Sequence, residues 1–325
     1  MKKYTVLFAA LAVIALAGCK KEENKVNGIL VGGEKFVNAD KQAYSPDFQY
    51  VVFDGSDNFL FNGTAYTYTM VDNPTDLNEV TDYSEYAILN VPGSAVVDDV
   101  TLLYPHNVFP SNVLPFGMTM VSEAPNAGNP NPVTGCVWPM GYHNGNFNSH
   151  HGIQLKNAIA LVTPAVKYGA PCMQNLFRYN PAFANLTFDQ NNPPVMTVTD
   201  VELIADTKIT GAAEVQFDES DIPTMVMTEP MEGATDVLDM VAPNLGVDIP
   251  FAGNSINIVG NMPVTPALNG ANLTINLYFT LDCGDTSFNC VYTGEVVATI
   301  ARSMRTTYVA NMFTAQNWDK ITVLD

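Results

Sequence analysis

Leu273-Thr-Ile-Asn-Leu-Tyr-Phe-Thr280 alternates apolar and polar residues without a break. Leu273, Ile275, Leu277 and Phe279 fall on one side of an extended chain, and Thr274, Asn276, Tyr278 and Thr280 on the other. A period of two turns one face to a core and the other to water, as in an antiparallel sheet with one solvated face. The pattern recurs outward from this stretch. Ala213, Val215 and Phe217 alternate with Glu214, Gln216 and Asp218. Thr197, Thr199, Val201 and Leu203 share a face opposite Val198, Asp200 and Glu202, and Val296, Ala298 and Ile300 form another set. Asn62-Gly63 separates Asn58-Phe-Leu-Phe61 from Thr64-Ala-Tyr-Thr-Tyr68. Asn-Gly suits the type I′ turn whose twist matches a two-strand hairpin.

No long stretch places apolar residues at i, i+3, i+4 and i+7 beyond the first few residues of the chain. The 21 prolines and 22 glycines are spread between short strands. The expected class is therefore all-β, built as antiparallel sandwiches. No repeat of about 20–50 residues points to a propeller or solenoid. The turn-rich stretch from Glu123 to Gly152 is the natural seam, and Gly152-Ile-Gln-Leu-Lys-Asn-Ala-Ile-Ala-Leu-Val begins a new apolar run. This divides the chain into residues 26–150 and 151–325.

The beginning of the chain supplies an address. Lys2 and Lys3 precede an apolar run from Tyr4 to Ala17, shorter than the roughly 20 residues a spanning helix needs. A charged start, a short apolar stretch and small residues before a cut define a secretory signal. Leu16-Ala17-Gly18-Cys19 resembles a bacterial lipobox, which implies cleavage before Cys19 and lipid on its thiol. Residues 1–18 then read as signal peptide and 19–25 as a lipidated tether. Two acyl chains give the two signals that stable anchoring needs. Lys20-Lys21-Glu22-Glu23-Asn24 resembles the export signal of surface lipoproteins in Bacteroidetes. The expected location is the outer membrane, lipid-anchored and facing outward, with a periplasm-facing lipoprotein as the alternative.

Net charge is −19, which excludes nucleic acid as a partner and polybasic attachment to anionic lipid. Beyond Cys19 the cysteines are Cys136, Cys172, Cys283 and Cys290, an even number in an exported chain. The short interval between Cys283 and Cys290 suits a bridge across a strand–loop–strand unit, which leaves Cys136 to pair with Cys172. No close pair of cysteines offers a zinc site. His143, His150 and His151 cluster in a polar stretch without a carboxylate at metal-site spacing, and are expected in an exposed loop. No nucleophile elbow, zinc-protease, phosphate-loop or dinucleotide motif occurs. Trp138 and Trp318 are expected in cores, with sugar stacking as the alternative. The expectation is a non-enzymatic protein without metal or cofactor.

Three segments carry a family resemblance. Ile153 to Lys167, followed by Val198-Thr-Asp-Val-Glu-Leu-Ile-Ala205 and Ile209 to Val215, resembles the central strand series of fimbrillin-like lipoproteins. Tyr86-Ala-Ile-Leu-Asn90 with Leu102-Leu-Tyr-Pro105 resembles a strand pair of their first domain. Thr307 to Asp319 resembles their closing strand and terminal Trp-Asp. The resemblance implies two tandem transthyretin-like β-sandwiches and a subunit of a type V pilus. In that family a trypsin-like protease removes the first strand and a strand from the next subunit fills the groove, so main-chain hydrogen bonds give affinity and alternate side chains give register. The departing strand would be Val26-Asn-Gly-Ile-Leu-Val31. The donor would be Lys320 to Asp325, with Ile321 and Val323 on one face. Family members are cut after Arg, but the first Arg here is Arg178, which leaves Lys35 and Lys41 as processing positions. The partners implied are other pilin-like subunits or further copies of the chain, with a host or glycan receptor. The alternative is a monomeric surface lipoprotein that binds glycans.

Overall fold

The computed structural model describes residues 28–34, 36–38, 53, 58–71, 86–92, 98–105, 114–116, 139–147, 152–168, 170–187, 189, 191–228, 235–241, 247–249, 255–311 and 317–324. Among these the chain is all-β with one α-helix. The first ten strands are β1 (Ile29–Gly33), β2 (Val37–Asn38), β3 (Phe59–Phe61), β4 (Thr64–Tyr66), β5 (Tyr68–Met70), β6 (Tyr86–Leu89), β7 (Val100–Tyr104), β8 (Leu114–Phe116), β9 (Met140–Asn144) and β10 (Ile153–Asn157). β11 (Ala160–Tyr168) leads into helix α1 (Ala170–Tyr179). Then come β12 (Val195–Ala205), β13 (Gly211–Phe217), β14 (Pro223–Met227), β15 (Val237–Val241), β16 (Val247–Ile249), β17 (Ser255–Ile258) and β18 (Met262–Val264). The last four are β19 (Asn272–Asp282), β20 (Ser287–Val297), β21 (Met304–Ala310) and β22 (Ile321–Leu324).

An eight-stranded sheet has the order β4-β3-β7-β9-β10-β1-β6-β5. Phe59 and Tyr68 lie near its opposite ends, yet their ring centroids are 5.1 Å apart and edge-on. The sheet therefore curls until its ends meet over Phe53 and Tyr104, which touch the same rings. Edge-to-face packing of this kind adds to area burial. The hairpin read from Asn62-Gly63 is present, with φ of 44° and 75° at the two turn residues. Both angles are positive, as a type I′ turn requires.

The second core lies between two further sheets. One has the order β15-β12-β19-β20-β22 with β16 also on β12, and the other β17-β11-β21-β2 with β18 also on β11. Val198, Val201, Leu277 and Phe279 of the first share a buried cluster with Val162, Val166 and Met262 of the second. Helix α1 adds Met173, Leu176 and Phe177 to the same cluster. A small fourth sheet, β14-β13-β8, brings Ala213 and Met225 to the first core.

Four features depart from the sequence reading. Among the described residues three strand pairs are parallel, β1 with β10, β11 with β21 and β2 with β21, so the eight-stranded sheet and the sheet around β11 are mixed. In β12 the register shifts between Val198 and Asp200. This bulge rephases the strand, so Met196 and Val198 are buried before it and Val201, Leu203 and Ala205 after it. Thr197 and Val201 therefore do not share a face. Helix α1 lies in a chain where no helix was expected beyond its first residues. Strand β10, which follows the seam at residue 150, belongs to the first sheet.

Candidate strand-exchange site

Strand β1 sits inside the eight-stranded sheet, with a neighbour on each side. It runs parallel to β10, with Val31 opposite Ile153, and antiparallel to β6, with Ile29 opposite Leu89. Ile29 and Val31 are buried at 2% and 0% exposure. Two glycines permit the close seating. A Cβ on Gly28 would lie 2.2 Å from Ile88 Cγ2, and one on Gly32 would meet the Tyr86 ring at 3.0 Å. Burial of two β-branched side chains with main-chain pairing on both edges makes β1 integral to the first core.

Beyond β1 the chain crosses from one sheet to another. Glu34 N donates to Leu155 O at 2.9 Å, Phe36 is buried, and β2 then pairs with β21. The crossing point is held from outside. Arg302 Nη1 donates to Glu34 Oε2 at 2.6 Å and to Asn157 O at 2.8 Å, and Arg302 Nη2 donates to Glu34 Oε1 at 3.3 Å. Asn157 N donates to Glu34 Oε2 at 2.9 Å and Asn157 Nδ2 to Glu34 O at 3.2 Å. These contacts join residues up to 268 positions apart, and nothing local in the sequence marks them.

The expected donor strand is β22, which lies at an edge of the six-stranded sheet and pairs antiparallel with β20 from Asn289 to Tyr292. Ile321 is buried at 5% exposure and Val323 packs half-buried on the second core. The two do share a face, and in this structure that face is turned into the chain's own core. Asn180 Nδ2 donates to Ile321 O at 3.2 Å and fastens the start of the strand. Past the reach of β22, Gly294 and Val296 of β20 and Tyr308, Val309 and Ala310 of β21 line a shallow groove floored by Leu277.

The expected bridge between Cys283 and Cys290 is not formed; both thiols are free. Cys290 pairs with Phe279 in the hairpin, so Cys283 stands four residues further along. At about 3.3 Å per residue that offset is about 13 Å, well beyond the roughly 7 Å Cα separation a disulfide tolerates. Burial pushes the Cys283 thiol up to about 11 and the Cys290 thiol up to about 12, so neither is a ready nucleophile at neutral pH. Cys19, Lys35, Lys41, Cys136, Trp138, His150 and His151 lie outside the described residues. Cys172 falls on α1 and Trp318 in the turn that precedes β22.

His143 is not in an exposed loop but in β9. Its Nδ1 lies 2.6 Å from Asp221 Oδ1 and its Nε2 3.2 Å from Asp99 Oδ1. It faces the β13–β14 hairpin, with Phe217 at 5.6 Å between ring centroids. Gly141, two residues earlier on the same face, has room for no side chain, since a Cβ would meet the Phe217 ring at 2.9 Å. Among the described residues no three His, Cys, Asp or Glu side chains are grouped to hold a metal ion. No described helix is long and apolar enough to cross a membrane.

No family model matches the chain, and no curated protein matches it. Solved structures do. One is a "putative cell adhesion protein" from Bacteroides ovatus, 10% identical, covering 93% of this chain and 97% of that one with a TM-score of 0.36. Another, from Bacteroides fragilis and described in the same words, is 10% identical, covering 86% and 92% with a TM-score of 0.37. A fimbrial protein from Bacteroides ovatus is 11% identical, covering 88% of this chain and 49% of that one with a TM-score of 0.32.

Proposed function

We propose that this chain is a non-enzymatic, fimbrillin-like surface lipoprotein, anchored in the outer membrane through Cys19, that joins its neighbours by strand addition. The observation that carries this reading is the seat of β1. The strand has a paired neighbour on each side and an apolar floor, and it ends two residues before Lys35. A cut after Lys35, or after Lys41, separates β1 from the body. Its departure leaves a slot with unpaired main-chain groups of β6 and β10 along both walls, the hazard and the opportunity of any open strand edge. An incoming strand regains those hydrogen bonds and fills the two apolar positions. Ile321 and Val323 are spaced two apart, as Ile29 and Val31 are, which suits β22 of another copy or the matching strand of a different pilin-like subunit. The anchor, the cut and the exchange then form one sequence: delivery to the surface, unmasking of the slot, and joining.

The test uses limited digestion with a Lys-specific protease on a chain carrying Lys320→Gln. That substitution protects the donor strand, because the exposed Lys320 directly precedes it. The expected result is a ladder of SDS-resistant multimers whose bodies begin at Phe36 or Gln42. A protein that stays monomeric after losing β1 overturns self-assembly. The mass of the N-terminal peptide recovered from cells reports the anchor, since lipidated Cys19 adds acyl mass.

A further inference from the structure

We infer that Arg302 is a latch on β1: by gripping Glu34 at the strand's exit it slows the departure of β1 after the chain is cut behind it. This rests on the reading of β1 as the departing strand and concerns what controls its departure.

The knot engages every polar group of Glu34. Both carboxylate oxygens of Glu34, its amide and its carbonyl are all engaged, by Arg302, Asn157 and Leu155. The guanidinium meets the carboxylate with two nitrogens, the paired geometry that makes such contacts stronger than a single neutral hydrogen bond. Both side chains are mostly shielded, at 22% and 28% exposure, so the pair is not an ordinary surface ion pair. The arm bearing Arg302 is itself fixed. Ser303 has a φ of 59°, its N donates to Ile159 O at 2.8 Å, and its Oγ accepts from Asn157 Nδ2 at 2.9 Å. Asn157 is fully buried.

Position gives the knot its consequence. Glu34 is the last residue of the segment that a cut after Lys35 leaves attached to β1, apart from Lys35 itself. Arg302 lies between β20 and β21, in the body that remains. The contact is therefore noncovalent and spans the proposed cut. A severed β1 must break the Arg302 fork and the Asn157 contacts at one end before it can peel from β6 and β10. Cutting alone empties the slot slowly. Opening the latch speeds the departure of β1.

The test compares the full chain with Arg302→Gln and with Glu34→Gln, which retains the shape of the side chain and removes its charge. Hydrogen exchange on the uncut protein comes first. The expected result is faster exchange in residues 29–34 with the β19–β20 hairpin unchanged. After Lys-specific cutting, the freed β1 peptide should leave the body at least about tenfold faster in either variant, the ratio expected for losing a charged hydrogen bond. Arg302→Lys, which keeps the charge without the fork, should fall between. Unchanged exchange in residues 29–34 in both Gln variants overturns the latch. Faster exchange spread evenly over both cores also overturns it, because that marks a general structural clip. A faster release of β1 without multimers supports the latch and removes the assembly reading, so the two fail separately.

Discussion

Asp239 of β15 stands directly opposite Glu202 of β12, and its carboxyl hydrogen-bonds that of Asp200. Two carboxyl groups can share that bond only if one holds a proton. Burial first, then the charge of Asp200, pushes Asp239 up to about 7. Glu202 faces the pair and accepts from Tyr278 Oη at 2.7 Å and from Asn276 Nδ2 at 3.0 Å. The folded chain thus binds a proton that the unfolded chain releases near pH 4, so the stability this pair contributes is fully present below about pH 4 and is lost as pH rises through about 7. Asp239→Asn supplies the donor permanently. It should flatten that slope and raise the melting temperature at pH 8 by about 2 °C or more, measured by calorimetry. His143 gives a second pH dependence with the same sign. Both ring nitrogens face carboxylate oxygens, so both must donate, and the contact with Asp221 is the main cause that holds its pKa above the usual 6.5. Its stabilisation is present below that value and lost as pH rises through the folded one. His143→Gln should therefore destabilise more at pH 6 than at pH 9, and the His143 ring proton resonance should titrate above 6.5. The sequence could not place this residue correctly. Its flank, Asn144-Gly145-Asn146, reads as a turn, and Asp221 lies 78 positions away.

Strands were legible wherever alternation ran unbroken, as in β19, and misread where an element departs from its period. The bulge in β12 inserts one residue and moves the apolar set to the other parity, which no count of alternating residues reveals. Helix α1 is only ten residues long. Its signal was present as Met173, Leu176 and Phe177 at i, i+3 and i+4, with Pro171 in the first turn, but it is brief among β-rich neighbours. The parallel partners of β1 and β11 lie more than a hundred positions away and leave no local trace. β22 shows what an edge element does. It covers β20 only from Asn289 to Tyr292 and contributes Ile321 to the second core. Deleting residues 321–325 should expose that length of β20. The expected readout is faster hydrogen exchange at Cys290 to Tyr292 and concentration-dependent association through the bared edge, seen by light scattering. Slow exchange at those amides in the shortened chain would mean that β22 is not what covers them.

At the scale of the whole molecule the two cores share a wall. Leu161 of β11 is buried in the first cluster, while its neighbours Ala160 and Val162 are buried in the second. A strand with a core on each side reads as a continuous apolar run, and Ala158-Ile-Ala-Leu-Val162 is such a run. The sequence displayed the run but placed the seam just ahead of it, because turn-rich residues mark loops and do not reveal which sheet the next strand joins. The sharing goes further. Ala213 and Met225, late in the chain, complete the first core. Thr265 Oγ1 donates to Met225 O at 2.8 Å, tying that hairpin to the loop beyond β18. The segment from β1 to β2 enters both sheets, and Arg302 binds its midpoint. Cores connected by a common strand, a crossing segment and an ion pair should lose structure together. Heating the full chain should therefore give one calorimetric transition whose van't Hoff and calorimetric enthalpies agree. Phe59→Ala, which empties the middle of the first aromatic cluster, should cost about 3–5 kcal/mol and move that whole transition down. Two peaks, with only the lower one shifted, would show that the wall does not couple the cores. Loss of β1 by cleavage should then lower the stability of the second core as well as the first, giving a cut, unjoined subunit a reason to refill its slot.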